Sequence, residues 1–289
     1  MNQHIESYIT YLQETKHASL NTQMAYERDL RKLSAYMEER GITDIHQVTS
    51  EQLQEYISHL IESGMATSSV ARSTAAIKTF FGSQEENPAI HLKAPKIIHS
   101  DLSVLTSEEI SCLLNQPAGN SSKSKRDKAM LEVMYSTGMH VSELISLHME
   151  DVREENANHY ICCGTEEKKR QIPLPEHTWQ ALDQYMTEVR STIVEDENCT
   201  YLFTNINGQP MSRQGFWKII KHYSSKAGIE KDITPNTLRH SFAFHQLQSG
   251  MDVIEVHKRL GHTDMSVTQQ YVNRLKKLQE QQETAQKQE

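Results

Sequence analysis

Three polar motifs near the C-terminus carry side chains that could do chemistry on a phosphate. They are TPNTLRH (234–240), LGHTD (260–264) and SVTQQY (266–271), and they supply Arg239, His262 and Tyr271. An arginine fork binds non-bridging phosphate oxygens, and a histidine hydrogen-bonds them or moves a proton. A tyrosine hydroxyl can attack phosphorus to form a covalent phosphotyrosyl bond. The three side chains together therefore suggest phosphoryl transfer.

Spacing alone leaves that interpretation open. An adjacent Arg239-His240 pair on a helix is also typical of a surface or capping feature. A single Tyr271 is also typical of half-buried packing. The elements that position these residues must decide between the alternatives.

The first 93 residues predict a helical bundle. Apolar residues recur at helical spacing from Ile5 to Leu12, from Tyr26 to Met37, from Leu53 to Ile61 and from Val70 to Phe81. Thr49 with Gln52 three residues later predicts a capping box at the start of the third helix. No strand pattern interrupts these helices, so we expect four of them packed together.

Residues 94–105 carry no sustained period and follow Asn87-Pro88, so they predict a linker around Pro95. A second region begins with a Thr106 and Glu109 capping box, and a helix after Lys123–Arg126 ends near Gly138. The first domain is therefore expected over 1–93 and the second over 106–289.

The second domain predicts one β-hairpin among further helices. Residues 159–174 suggest two strands with a turn at Gly164–Lys168, and Tyr201–Phe203 suggests a brief strand. Helices are expected over 177–191, after Ser212, and from Thr234-Pro235 to Gly250. The tail beyond Leu278 predicts a solvated, frayed end. The expected fold class is mainly α with a small β-hairpin, in two domains.

Composition excludes several classes of protein. Of the 289 residues, 37% are hydrophobic and 24% charged, as in an ordinary globular chain. No apolar run approaches the ~18 residues of a membrane span, which excludes an integral membrane protein. The first six residues lack a signal-peptide pattern, and four cysteines (Cys112, Cys162, Cys163, Cys199) form no disulfide framework, so we expect reduced thiols in the cytoplasm.

No metal or other cofactor is expected. Cys162 and Cys163 are adjacent and alternate across a strand, which is poor zinc geometry. The 15 histidines show no ligand pair accompanied by a third ligand.

The net charge of −8 argues mildly against a nucleic-acid partner. A phosphate backbone, however, responds to the face presented to it. Basic clusters occur at Lys123–Lys128, at Lys168, Lys169 and Arg170, and at helical spacing along Arg213, Lys218, Lys221 and Lys226. The last cluster is either a solvated helix face or a phosphate-contacting stripe. The acidic balance predicts weak or strongly salt-dependent DNA binding.

Four blocks of sequence resemble the tyrosine recombinase family of the Xer type. NTQMAYERDLRKL (21–33) resembles the core-binding domain, and RDKAMLEVMYSTGMHVSELISL (126–147) resembles the block of the first catalytic arginine. TPNTLRHSFAFHQL (234–247) resembles the His-x-x-Arg helix, and LGHTDMSVTQQY (260–271) resembles the block of the second histidine and the nucleophile. The resemblance implies that two domains clamp double-stranded DNA. It also implies strand exchange through a 3′-phosphotyrosyl bond, without a cofactor, by four protomers on two DNA sites.

The resemblance implies a site of six residues, of which this chain keeps three. Tyr271 stands at the nucleophile, Arg239 at the second arginine and His262 at the second histidine. His140 replaces the first arginine, Thr165 the hairpin lysine and Asn236 the first histidine.

The three departures differ in physical effect. His140 is shorter than arginine and lacks its permanent charge. Thr165 cannot protonate a leaving 5′-oxygen as the family's lysine does, although Lys168 or Lys169 could substitute if they are more than exposed hairpin lysines. Asn236 still donates a hydrogen bond but cannot move a proton. Cleavage is therefore expected to be slow.

The expected function is site-specific DNA recombination, in chromosome dimer resolution during chromosome partition and cell division or in mobile-element integration. The active assembly would be a homo- or hetero-tetramer with a related recombinase. The alternative is a catalytically impaired DNA-binding relative that acts as a partner or regulator. A third possibility, a protein scaffold that no longer binds DNA, is favoured only by the acidic charge.

Overall fold

The chain forms two compact units, Met1–Ser100 and Asp101–Glu289. The computed structural model describes residues 1–96, 102–164, 169–196 and 198–286, the last six of them by backbone alone. Both units are built mainly from α-helices, and the second also contains a small antiparallel sheet. The fold class expected from the sequence is confirmed.

The expected domain bounds, 1–93, 94–105 and 106–289, stay predictions, and residues 97–101 of the expected linker lie outside the described residues. Within the described part of the chain, no helix is both long enough and apolar enough to cross a membrane.

The first unit contains the four predicted helices. They are α1 (Asn2–Glu14), α2 (Leu20–Glu38), α3 (Ser50–Glu62) and α4 (Thr67–Phe81). The predicted capping box is present, since the Thr49 hydroxyl accepts from the Gln52 N–H and the Gln52 side chain accepts from the Thr49 N–H. Apolar faces of all four helices enclose one core. Asp29 is buried there and receives two hydrogen bonds, of 2.8 and 3.2 Å, from the Arg72 guanidinium.

The second unit begins with three helices and a sheet. The helices are α5 (Ser107–Leu114), α6 (Ser122–Thr137) and α7 (Val141–Ser146), and the strands are β1 (Val152–Glu155), β2 (Asn158–Cys163) and β3 (Arg170–Pro173). The sheet order is β1-β2-β3, and all pairs are antiparallel.

The predicted hairpin is confirmed as β2 and β3, with Ile161 opposite Ile172. Strand β1 was not predicted, because its last three residues are polar and exposed and show no buried alternation. The strand predicted at Tyr201–Phe203 is wrong: Tyr201 forms a single bridge with His148 and no ladder follows. Of the predicted turn, residues 165–168 lie outside the described residues.

Further helices complete the second unit. They are α8 (Glu176–Tyr185), a π-helical turn over Met186–Arg190, α9 (Ser191–Ile193), α10 (Arg213–Lys226), α11 (Pro235–Gln248), α12 (Val253–Leu260) and α13 (Met265–Gln286). The predicted caps at Ser212 and Thr234 are both present. The expectation of a frayed tail beyond Leu278 is wrong for the backbone, because α13 continues to Gln286.

Helix α6 is the centre of the second unit. It packs against α8 and α11, and residues from Ala129 to Met134 are buried on almost every side. Gly138 ends this helix with a left-handed φ of 62°, and a Cβ built there would lie 2.2 Å from the Phe242 ring of α11. Only glycine permits so close an approach with that backbone conformation. The end of α6 is therefore held directly against the helix that carries Arg239.

Candidate active site

Arg239 lies at the centre of the candidate site. Its side chain is buried on α11, and its guanidinium donates to the Gly138 carbonyl at 2.6 Å and to the Leu260 carbonyl at 2.8 Å. These carbonyls belong to the C-terminal ends of α6 and α12, where a cation is favoured by the helix dipoles. Burial lowers the pKa of Arg239 to about 10, so the group stays protonated at neutral pH. The fold thus holds a fixed positive charge at a point where two helices end.

Tyr271, on α13, lies beside this arginine. The side chain is 2% exposed, and its hydroxyl is 2.7 Å from Nδ1 of His240. Its ring is parallel to that of His262, with centroids 6.3 Å apart. Burial raises the pKa of Tyr271, while the charge of Arg239 acts in the opposite direction. The hydroxyl is therefore protonated at rest and needs a proton acceptor before it can attack phosphorus.

His262 follows the left-handed Gly261 that ends α12. Its Nδ1 is 2.9 Å from the Thr268 hydroxyl, which is also 3.0 Å from Nδ1 of His257. Burial, and then the charge of Arg239, lower the pKa of His262 to about 4. His262 is consequently a neutral imidazole oriented by its threonine partner. In the tautomer whose Nδ1 accepts from Thr268, its Nε2–H is able to donate.

His140 occupies the exposed N-terminal end of α7, next to the Met139 and Gly138 pair that ends α6. Its backbone N–H donates to Glu143 Oε2 at 2.7 Å. Loss of part of its hydration, and then the charge of Arg239, lower the pKa of His140, and Glu143 partly opposes them. The structure thus places His140 at the site as a neutral group, where the family's residue is a permanent cation.

Arg170 and Glu143 connect the elements that carry the histidines. Arg170, on β3, donates to both Glu143 carboxylate oxygens at 2.6 and 2.9 Å and to the Arg259 carbonyl at 2.8 Å. A Cβ added to Gly261 would lie 2.7 Å from the Arg170 guanidinium, so α12 ends directly over this side chain. The DNA-contact role expected for Arg170 stays a prediction, and the structure gives its guanidinium three protein acceptors.

The other predicted site residues are distributed around this centre. Asn236 is exposed in the first turn of α11, one helical turn before Arg239. Lys169 is exposed and, with Lys258 and Arg259, lines a basic cavity of about 540 Å³ that also reaches His262. Thr165 and Lys168 lie outside the described residues.

The basic residues predicted along α10 differ in their surroundings. Arg213 and Lys218 are exposed, and the charge of Arg213 contributes to the lowered pKa of His140. Lys221 forms an ion pair with Asp232 and lies 5.5 Å from the Trp217 ring centroid. Lys218 makes no ion pair with any residue that the structure describes, so its charge is freer than that of Lys221.

Sequence reasoning missed three residues of the site. Glu143 could have been found, because an acidic residue three positions after His140 is a capping pattern. His240 and Thr268 carried no such signal. The partner of His240 lies 31 residues away on α13, and the partners of Thr268 lie on α12 and in the loop that follows it. Among the described residues, no group of three or more His, Cys, Asp or Glu side chains could hold a metal ion.

The family models match the two units separately. Residues 103–277 match the phage integrase family, and residues 5–83 match the N-terminal SAM-like domain of phage integrases. The chain is 36% identical over 280 residues to the tyrosine recombinase XerD of Halalkalibacterium halodurans, covering 94% of this chain and 93% of that protein. It is 38% identical over 279 residues to XerD of Staphylococcus epidermidis, covering 94% of each.

Solved structures share the fold. A structure of the XerH site-specific recombinase bound to a palindromic difH substrate superposes with a TM-score of 0.78 at 20% identity, covering 98% of this chain and 84% of that one. The Tn1549 transposon integrase in complex with transposon right end DNA gives a TM-score of 0.74 at 20% identity, covering 93% and 94%. Since the family models cover both units and the XerD relatives cover almost the whole chain, it belongs to the phage integrase family, as a tyrosine recombinase of the Xer type.

Proposed function

We propose that this protein performs site-specific DNA recombination, as in chromosome dimer resolution, by cutting and rejoining duplex DNA through a 3′-phosphotyrosyl bond to Tyr271. The observation that carries the proposal is the convergence of the buried Tyr271 and Arg239 with the half-buried His262. The similarity to XerD proteins over almost the whole chain supports the same activity.

Each retained residue has a role in that reaction. Tyr271 Oη attacks the scissile phosphorus, Arg239 donates N–H groups to the non-bridging oxygens, and His262 donates a further hydrogen bond. Replacement of the family's first arginine by a neutral His140 removes one charge-assisted contact to the transition state. Such a loss costs about 3 kcal/mol, or roughly a hundredfold in rate. Cleavage is therefore slower than a complete site would give.

Double-stranded DNA is the partner, and recombinase–DNA complexes of the same fold support this. Lys169 with the basic cavity beside it, and Lys218 on α10, are the proposed phosphate contacts. Four protomers act together on two DNA sites, as identical copies or with a related recombinase. The reaction takes place in the cytoplasm, where chromosomal DNA is accessible.

The test is covalent adduct formation on a panel of nicked duplexes carrying recombination sites of the related XerD proteins, read by denaturing electrophoresis. Wild type should give a slow protein–DNA adduct, and Tyr271→Phe should give none while binding duplex DNA with unchanged affinity, because only the chemical step needs the hydroxyl. An adduct that persists in Tyr271→Phe would contradict the assignment of the nucleophile.

A variant with two of the family's residues restored distinguishes an active recombinase from a catalytically impaired relative. His140→Arg combined with Thr165→Lys should raise the rate of adduct formation far more than either change alone. The arginine would bind the phosphate and the lysine would protonate the leaving 5′-oxygen in the same transition state, and the effects of residues that act together in this way are not additive. If the double variant binds DNA yet forms no adduct, the protein is a DNA-binding relative without catalysis.

A further inference from the structure

His240 is a half-buried histidine in direct contact with the proposed nucleophile. Its Nδ1 lies 2.7 Å from the Tyr271 hydroxyl, and the centroids of the two rings are 5.7 Å apart. The family position from which a histidine would reach the reacting phosphate holds Asn236, which cannot take up a proton. The nucleophile therefore has a histidine partner, although the histidine of the motif is absent.

We propose that His240 is the proton acceptor for Tyr271 in DNA cleavage, an inference that rests on the proposed recombinase function. As Tyr271 Oη forms its bond to phosphorus, the phenolic proton moves to Nδ1 of His240 and gives an imidazolium. The bond between phosphorus and the 5′-oxygen breaks at the same time, and the departing oxygen takes a proton from water. In rejoining, the 5′-hydroxyl attacks phosphorus and loses its proton to solvent, while the imidazolium returns its proton to the tyrosine oxygen as the bond between that oxygen and phosphorus breaks.

The protonation state of His240 suits an acceptor. Burial, and then the charges of Arg239 and Arg274, lower the pKa of His240 to about 4, so the imidazole is neutral at physiological pH. A neutral imidazole has one lone pair and one N–H. In the tautomer that carries its proton on Nε2, the lone pair lies on Nδ1 and faces the Tyr271 hydroxyl. That tautomer is the one the proposed transfer uses, with the tyrosine donating and the histidine accepting.

Bound DNA strengthens this base. The groups around the histidine are Arg239 on its own helix, Arg274 and Tyr271 on α13, and neutral His262. A phosphate beside Arg239 offsets the positive charges that disfavour the imidazolium, and so raises the basicity of His240. Proton acceptance then occurs mainly when substrate is in place.

The same helix supplies a matched control. His245 on α11 is also half-buried, and its Nδ1 is 2.9 Å from the Tyr135 hydroxyl. His240→Gln and His245→Gln each remove a histidine–tyrosine contact of the same kind from α11. Only the first removes one at the nucleophile, so the comparison separates the chemical role from packing.

The experiment measures single-turnover adduct formation on a nicked duplex with a 5′-bridging phosphorothiolate, whose sulfur leaves without needing a proton. We expect His240→Gln and His240→Ala to slow the reaction about 10–100-fold. Added imidazole should restore much of the rate of His240→Ala but not of His240→Gln, whose side chain fills the space. His245→Gln should stay within about twofold of wild type, and thermal unfolding should show all three variants folded.

Three results would overturn the proposal. A His240→Gln rate equal to wild type would mean that no proton is transferred to this side chain. A slow His240→Ala variant that imidazole does not rescue would reduce His240 to a positioning contact. An adduct from neither wild type nor the His140→Arg, Thr165→Lys variant would refute the recombinase function itself, and with it this role.

Discussion

Replacing Arg170 by glutamine is expected to destabilise the second unit strongly. Arg170 makes a bidentate pair with Glu143, at 2.6 and 2.9 Å, and both side chains are mostly buried, at 14% and 18% exposed. A further N–H donates to the Arg259 carbonyl. The substitution removes the partner of a half-buried carboxylate and the connection among β3, α7 and α12.

The magnitude follows from that geometry. Removing one member of a fully buried ion pair costs about 3–5 kcal/mol, because the other charge stays buried without a partner. Charge-assisted hydrogen bonds contribute about 1.5–3 kcal/mol. Since the pair keeps some contact with water, we expect Arg170→Gln to lower the free energy of unfolding by about 3 kcal/mol. For a unit of this size that corresponds to a fall in Tm of about 6–12 °C.

The pH dependence of the effect has a definite sign. Burial alone would raise the pKa of Glu143, but the hydrogen bonds and charge of Arg170 outweigh it, and the pKa lies below its ordinary value. A carboxyl group whose pKa is lower in the folded protein stabilises the fold at pH values above its pKa in the unfolded chain, which is about 4.3 for glutamate. This stabilisation is lost as the pH falls through the pKa of the folded state. The difference in the free energy of unfolding between wild type and Arg170→Gln should therefore become smaller at acidic pH.

The assay is urea unfolding of wild type, Arg170→Gln, Glu143→Gln and the double variant. The double variant leaves no unpaired charge, so it should lose less unfolding free energy than the two single variants lose together. The difference, which is the coupling energy, should be about 1–3 kcal/mol. Arg31→Gln, which breaks an exposed pair with Glu27 at 2.9 Å, is the control and should have much less effect. A coupling below about 0.5 kcal/mol, or a difference between wild type and Arg170→Gln that persists unchanged at pH 3, would refute the reasoning.

Four further substitutions test other parts of the structure. Gly138→Ala should cost about 2–4 kcal/mol in calorimetric unfolding, because its Cβ would meet Phe242 at a left-handed backbone position; an unchanged Tm would contradict the close approach. Lys218→Ala should reduce the slope of log binding constant against log salt by about 0.9, while Lys221→Ala, already ion-paired, should change it less; equal slopes for both would contradict the difference between them. Asn236→His should raise adduct formation about tenfold by restoring a proton-bearing side chain, and a rate equal to wild type would show that the position is too exposed to act.

Local chemistry explains which elements were predictable. The caps at Thr49, Thr106 and Ser212 are set by residues three positions apart, so sequence alone located the starts of these helices. Strand β1 was missed because its polar, exposed residues show no buried alternation, and Tyr201 was mispredicted as part of a strand because its bridge partner, His148, is 53 residues away. Propensity cannot report a partner that is distant in sequence.

The site shows the same division between local and distant information. The motifs identified Arg239, His262 and Tyr271, because a motif consists of residue types in a given order and can be found in the sequence directly. The carbonyls that accept hydrogen bonds from Arg239 belong to residues 101 and 21 positions away, and no sequence pattern predicts these contacts. The tyrosine–histidine contact likewise exists only after α11 and α13 have packed.

The replacement of an arginine by His140 changes how the site acquires positive charge. Arg239 keeps a permanent charge, whereas the pKa values of His140, His240 and His262 are all lowered, chiefly by lost hydration and then by Arg239. These imidazoles are therefore neutral at physiological pH, and Arg239 carries the permanent charge among the four side chains. A phosphate beside Arg239 would raise their pKa values again. At His240 this makes the neutral imidazole a stronger acceptor for the Tyr271 proton, whereas at His140 it restores only part of the charge that an arginine would hold permanently.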